Sequence, residues 1–180
     1  IRVLGMETEM DLLIRRYTAA DATALGRIFY RAVHEGAAGA YDAAERAAWA
    51  PRTPDGAEWA LRLAGQVTLV AELDGMPVGF MTMATETGYI DLAFVAPEVM
   101  GQGVAHALYR EIEAVARDAD CPQVCTHASR VARPFFERQG WTVLQREEVT
   151  RGGVMLARFE MKKALGCVPG ATSKATNARL

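Results

Sequence analysis

The stretch that decides the fold is Val95-Ala96-Pro97-Glu98-Val99-Met100-Gly101-Gln102-Gly103-Val104-Ala105. It joins the end of an apolar, β-like run to the start of an amphipathic one. The apolar residues of that second run recur at helical spacing, which predicts a helix. Its apolar face carries Val104, Leu108, Ile112, Val115 and Ala119. The glycines keep the turn free of side chains, so the unpaired N–H groups at the helix start can bind phosphate oxygens. The turn contains no lysine, which excludes a Walker-type loop, and an ordinary strand-to-helix bend is the alternative.

The flanking segments alternate between β-like and helical patterns. The predicted strands cover 12–17, 67–73, 77–85, 89–95, 124–127, 141–150 and 154–161. Thr18 with Asp21 and Asp42 with Glu45 are capping boxes that open helices, and 34–66 holds one or two short helices. Asp74-Gly75 predicts a tight hairpin. A long helix separates strands 89–95 and 124–127, which are therefore expected to pair in parallel through a right-handed crossover.

Composition narrows the class of protein. The chain has 180 residues, with Lys plus Arg 20, Asp plus Glu 22 and a net charge of −2. Such a length favours one soluble domain, and the absence of a basic surplus argues against a nucleic-acid partner. No apolar run approaches the roughly 20 residues of a membrane helix, and residues 1–10 lack signal-peptide features. We therefore expect a cytoplasmic protein without a membrane partner.

The cysteines and the chain ends support three further expectations. Cys121, Cys125 and Cys167 lack the second ligand pair of a zinc site, so reduced thiols and no metal are expected. Residues 1–10 are interpreted as an N-terminal extension or a cloning remnant. Residues 11–164 form the predicted domain, and 165–180 a flexible tail without apolar periodicity.

A second motif follows the glycine turn at Ala128-Ser129-Arg130-Val131-Ala132-Arg133-Pro134-Phe135-Phe136-Glu137-Arg138-Gln139-Gly140-Trp141. Together the two segments resemble motif A and the Ser/Asn-x-x-Ala-x-x-Phe-Tyr-Glu-x-x-Gly-Phe segment of the GNAT superfamily of N-acetyltransferases. The resemblance covers about residues 12–163. It implies an α/β (α+β) fold with a mixed, mostly antiparallel sheet of about seven strands, helices on both faces and a splayed parallel strand pair.

The resemblance implies acetyl-CoA as co-substrate, with its diphosphate on the backbone amides of the glycine turn. The implied cofactor-binding residues are Phe94, Val95, Met100, Gly101, Gln102, Gly103, Val104, Ala105, Ser129 and Phe136. Two of them depart from the family pattern. Met100 replaces a Gln or Arg, and Phe136 replaces the tyrosine that protonates the departing thiolate, which a phenyl ring cannot do.

Four residues are candidates for the catalytic chemistry. Asp91 is expected to share a strand face with Tyr89, Ala93 and Val95 and to take up the amine proton, or else to pair with an arginine. Tyr89 can relay that proton. His127 ends the parallel partner strand, where it suits a proton acceptor, a thiolate donor or a structural role. Ser129 falls where the family contacts pantetheine, and it can also cap the helix that follows.

The acceptor is expected to be a small-molecule or peptide amine. The resemblance places His34 and Glu35 at the acceptor cleft, with a surface pair as the alternative. The segment between His34 and Gln66 contains five acidic residues and three arginines, and this excess of acids favours a cationic amine. We predict direct attack of a primary amine on acetyl-CoA by a monomer or homodimer; the alternative is a non-catalytic acyl-CoA-binding or sensing module on the same fold.

Overall fold

The computed structural model describes residues 11–166 as one seven-stranded sheet with helices on both faces. The strands are β1 Leu12–Arg16, β2 Val67–Leu73, β3 Met76–Ala84, β4 Tyr89–Val95, β5 Gln123–Ala128, β6 Thr142–Arg151 and β7 Val154–Ala164. The helices are α1 Ala22–Arg31, α2 Ala43–Trp49, α3 Gly56–Leu63, α4 Val104–Asp118 and α5 Arg133–Arg138. The strand order is β1-β2-β3-β4-β5-β7-β6. The predicted fold class is confirmed, whereas the predictions for residues 1–10 and 167–180 lie outside the described residues.

Two apolar clusters hold the helices to opposite faces of the sheet. On one face α4 buries Leu108 and Ile112 against strand residues such as Met81. On the other face α1 and α3 bury Leu25 and Trp59 among strand side chains. Burial of large apolar side chains contributes about 1.5–3 kcal/mol each, so both helix layers are fixed firmly to the sheet.

The parallel pair β4 and β5 is held together at one end only. Its register contact joins Tyr89 to Cys125, whose N–H donates to the Gly88 carbonyl. One step further, the Thr126 hydroxyl donates to the Ile90 carbonyl over 2.8 Å. Because a side chain replaces the backbone ladder there, the strands separate beyond this point. The gap between them is the splay that the family resemblance implies.

A β-bulge at Asp91 changes which way the side chains of β4 point. Thr82 pairs with Leu92, but the next residue along, Met83, pairs with Ile90, so Asp91 is the extra residue. Ala93 packs towards the α4 cluster, whereas Asp91 contacts Arg62 of α3. The expectation that Asp91 shares a face with Ala93 and Val95 is therefore wrong, because the bulge interrupts the alternation.

The connections follow the sequence signals closely. Both capping boxes form, and the hairpin residues Asp74 and Gly75 have φ angles of 49° and 79°. Helix α1 continues as a π-helical turn, Ala32–Gly36. No helix among residues 11–166 has the length and apolar character needed to cross a membrane.

Candidate active site

The gap between β4 and β5 opens into a cavity of about 630 Å³. At one end it reaches the start of α4, where Met100, Gly101 and Ala105 line it. At the other end it reaches α2, α3 and the β6–β7 hairpin, where Trp49, Trp59 and Arg151 line it. We call these the α4 end and the hairpin end. The splay therefore produces one continuous cavity with room for two reactants.

The α4 end is a cradle of free backbone donors. Gly101 and Gly103 have φ angles of 79° and 88°, and an added Cβ would meet no atom within 4 Å at either position. The first helical bond of α4 runs from the Ala107 N–H to the Gly103 carbonyl. The N–H groups that precede it lack a helical acceptor and carry the positive end of the helix dipole. This geometry suits a phosphate group.

The side chains of the turn leave the cradle open. The Gln102 side chain turns back and donates to the Glu98 carbonyl over 2.8 Å, while Val104 is buried in the core. The Gln102 N–H also donates to the Val99 carbonyl over 3.2 Å, so of these two predicted cofactor residues Val104 is the one that offers a backbone N–H to a ligand. Met100 is 40% exposed and lines the cavity together with Ala105.

Of the two predicted cofactor-binding residues of β4, Phe94 and Val95, only Val95 directs its N–H into the gap. The Ala96 N–H donates to Val78 of β3, and Phe80 stands opposite Phe94. Since backbone groups alternate along a strand, the Phe94 N–H also points towards β3 and the Val95 N–H points away from it. Phe94 lines the cavity through its ring.

Ser129 and Phe136 both line the cavity at the end of β5 and in α5. The Ser129 hydroxyl oxygen accepts from the Ala132 N–H over 3.1 Å in the turn that leads into α5, and within residues 11–166 its own proton has no acceptor. Phe136 is 1% exposed and packs on Trp141 with ring centroids 4.8 Å apart. A phenyl ring fills the position expected for a proton donor.

Tyr89 and His127 meet across the gap and form the start of a polar chain. The Tyr89 hydroxyl lies 3.0 Å from His127 Nδ1. On the other side of the ring, His127 Nε2 lies 3.5 Å from a Glu147 carboxylate oxygen, which accepts from Arg158 Nε over 2.7 Å. Burial raises the pKa of Tyr89, so its hydroxyl is protonated at neutral pH. The Arg158 guanidinium lowers the pKa of Glu147, which is therefore ionised.

Asp91 also lines the cavity but is held by an arginine. Arg62 Nη2 lies 2.6 Å from Asp91 Oδ2, and Gln66 donates to the same oxygen over 3.2 Å. The pairing with an arginine, which was the alternative to a catalytic base, is what the structure contains. Whether Asp91 also accepts a proton stays a prediction.

His34 and Glu35 do not line the cavity. The His34 ring stacks on Tyr30, and its Nε2 lies 2.8 Å from the Ala50 carbonyl, so it fixes the segment after α2. Glu35 is an exposed partner of Arg31, which lowers the pKa of the Glu35 carboxylate. The surface alternative describes Glu35, whereas His34 supports the cavity wall from outside through Ala50, which lines the cavity.

Several lining residues were missed because they come from irregular or distant segments. These are Tyr41, Trp49, Arg52, Arg151 and Arg158. Tyr41 is 5% exposed, and its hydroxyl accepts from the Arg130 N–H over 2.7 Å, so it connects the α1–α2 segment to the end of β5. This part of the cavity wall could have been predicted from one sequence signal, the aromatic residues beside the predicted Asp42 capping box. Within residues 11–166, no cluster of three or more His, Cys, Asp or Glu residues could hold a metal ion.

Comparison with known proteins identifies the family to which this chain belongs. Residues 37–164 match the family described as acetyltransferase (GNAT) domain. YafP of Escherichia coli, an uncharacterized N-acetyltransferase, is 33% identical over 152 residues, which are 84% of this chain and 95% of YafP. The chain belongs to the GNAT family of acetyltransferases.

Solved structures share the whole fold. A GCN5-related N-acetyltransferase of Rhodopseudomonas palustris has a TM-score of 0.80 and 32% identity, over 88% of this chain and 99% of that one. The structure of yncA from Salmonella typhimurium with its cofactor acetyl-CoA has a TM-score of 0.68 and 20% identity, over 90% of this chain and 99% of that one. The predicted family resemblance is confirmed.

Proposed function

We propose that this protein transfers an acetyl group from acetyl-CoA to a primary amine by direct attack of the amine. The observation that carries the proposal is the single cavity that joins the free N–H groups of the α4 end to the Tyr89–His127 pair. The yncA structure, which shares the fold, is a complex with acetyl-CoA. Acetyl-CoA would supply an activated acetyl thioester.

The chain offers groups suited to hold that co-substrate. The N–H groups of Gly101, Gly103, Val104 and Ala105 would bind its diphosphate, since no side chain fills the cradle. The Val95 N–H faces the gap, where a donor stabilises negative charge on a carbonyl oxygen. Met100 and Phe94 contribute apolar contacts along the cavity wall.

Tyr89 and His127 would move the proton. The Glu147 carboxylate lies 3.5 Å from His127 Nε2 and favours the tautomer with the proton on Nε2, in which Nδ1 accepts from the Tyr89 hydroxyl. The neutral amine attacks the thioester carbonyl carbon and forms the C–N bond, and the proton that its nitrogen then releases passes to Tyr89 Oη as the Tyr89 proton passes to His127 Nδ1. The C–S bond breaks as the thiolate leaves. The resulting imidazolium is balanced by Glu147. Returning that proton through Tyr89 to the departing sulfur closes the cycle, so Phe136 need not donate.

No residue of the cavity is proposed as a covalent carrier. Cys125 lies beside the relay, but burial raises the pKa of its thiol, which disfavours a thiolate nucleophile. The Ser129 hydroxyl contacts the Ala132 N–H, and among residues 11–166 no base lies within hydrogen-bond distance of it. We propose that Ser129 donates a hydrogen bond near the sulfur.

The test is release of free thiol from acetyl-CoA with a panel of primary amines. We expect turnover in the wild type and a loss of about 10²-fold in kcat for His127→Gln, the usual contribution of a general base. The kcat of Tyr89→Phe should fall by a similar factor. Calorimetry should show that both variants bind acetyl-CoA with the affinity of the wild type. Binding without turnover of any amine would favour the alternative, a non-catalytic acyl-CoA sensor prompted by Phe136. Absence of binding would refute both functions.

A further inference from the structure

The hairpin end of the cavity has a positive lining, which reverses the charge expected from the sequence. Four arginines line it, and they are Arg52, Arg62, Arg151 and Arg158. Among the described residues, its carboxylates are Glu58 and Asp91. The acids that suggested a cationic amine mostly lie elsewhere: Glu35 pairs with Arg31, and Glu45 pairs with Arg130.

Both carboxylates of the lining are already neutralised. Arg52 lies 2.8 Å from Glu58, and Arg62 lies 2.6 Å from Asp91. Arg158 is likewise paired with Glu147. A cationic substituent on the acceptor would meet these guanidinium groups without a free carboxylate to bind. The lining therefore disfavours a diamine or a polycation.

Arg151 differs from the other three arginines. Within residues 11–166 it has no carboxylate at ion-pair distance, and its guanidinium carbon lies 5.0 Å from the centroid of the Trp49 ring. A guanidinium stacked on an aromatic face keeps the N–H groups at its edge available, in a fork that matches a carboxylate. Trp49 thus holds a free, oriented anion-binding group at the cavity edge.

The position of Arg151 also sets a length. It lies four residues beyond Glu147 on β6, which is about 13 Å along the strand. Glu147 in turn contacts His127. The Arg151 side chain can cover part of that distance, so several bonds must separate the acceptor's amine from the group that Arg151 binds.

We propose that the acceptor is a primary amine carrying a carboxylate several bonds away, bound by Arg151 on the Trp49 ring. This proposal rests on the proposed acetyl transfer and specifies its substrate class. The amine lies at Tyr89 and His127, and the carboxylate lies at the β6–β7 turn. Val149, between them on β6, lines the cavity and contacts the connecting chain.

The test compares straight-chain ω-amino acids with their ω-amino amides of equal length. We expect wild-type kcat/KM to favour the acid at least tenfold at low ionic strength, and the preference to fall as salt rises. Arg151→Gln should remove it by raising KM for the acid, with kcat and the amide kinetics little changed. The control is Arg146→Gln on the same strand, because Arg146 pairs with Glu148 outside the cavity.

The outcomes separate this inference from the proposed function. Preference for the amide or for a diamine, or an equal effect of Arg151→Gln on acid and amide, would overturn the carboxylate site while acetyl transfer stands. ω-Aminosulfonates of equal length distinguish binding of any anion from binding of a carboxylate. Acetyl-CoA binding with no turnover of any amine would instead refute the acetyl transfer, and this substrate class with it.

Discussion

Single residues in this cavity are distinguished by their partners. Asp91 and His127 were equivalent candidates for the proton acceptor in the sequence. In the structure Asp91 is bound to Arg62 at 2.6 Å, whereas His127 Nδ1 faces the Tyr89 hydroxyl at 3.0 Å. Arg62 and Gln66 already occupy Asp91 Oδ2, whereas His127 Nδ1 is in contact with the hydroxyl that would pass it a proton.

Asp91→Asn separates the two candidates. We expect kcat to fall much less than the roughly 10²-fold expected for His127→Gln, because the amide can still accept from Arg62. Unfolding should become easier by about 1 kcal/mol at most, the usual value of a partly exposed pair. Steady-state rates and urea unfolding measure the two effects. A loss of kcat equal to that of His127→Gln would assign the base to Asp91.

At the scale of elements, the start of α4 and the bulged strand β4 define the cavity. Gly103 precedes α4 with φ at 88°, a conformation that costs other residues about 1–2 kcal/mol. The β2–β3 hairpin contains a matched position, Gly75, with φ at 79° and equally open surroundings. The pair allows backbone strain to be separated from ligand binding.

We predict that Gly103→Ala and Gly75→Ala lower the melting temperature by similar amounts. Only Gly103→Ala should weaken acetyl-CoA binding, by tenfold or more, because its methyl group enters the space where the phosphates meet the N–H groups. Thermal unfolding and calorimetry with acetyl-CoA make the comparison. Equal affinities in the two variants would show that the turn is only a bend between β4 and α4.

At the scale of the whole molecule, partly buried ion pairs connect the periphery of the sheet. Arg15 holds Asp21 at 2.8 Å and lowers the pKa of that carboxyl to about 2. Burial by itself raises the pKa of Glu113, but hydrogen bonds from Lys163, Tyr109 and Arg117 outweigh it and lower the value to about 2. These pairs connect β1 to the start of α1, and α4 to β7.

These ion pairs predict how the free energy of unfolding depends on pH. A carboxyl whose pKa is lower in the folded state stabilises the fold above its ordinary pKa, near 4, and loses that contribution as pH falls towards 2. Each group should contribute about 2–3 kcal/mol over this range. Urea unfolding from pH 7 to pH 2 measures the slope, which Asp21→Asn and Glu113→Gln should flatten. Exposed Asp118→Asn is the control, and an unchanged slope in Asp21→Asn and Glu113→Gln would contradict the assignment.

The sequence by itself determined the order of elements, the family and the α4 end of the cavity. Those features depend on local chemistry: apolar periodicity, caps and the φ angles that glycine permits, as at Asp74-Gly75 and Gly103. The bulge at Asp91 carries no such local signal, because it becomes visible only as a shift in register against β3.

The hairpin end was decided by tertiary structure alone. Glu147 meets His127, and Arg151 meets Trp49, across long separations in the chain. Counting acids and arginines between His34 and Gln66 predicted a cationic acceptor, since the count could not show which charges pair with one another. Net charge is a property of the sequence, but the charge that a ligand meets depends on which ion pairs the folded chain forms.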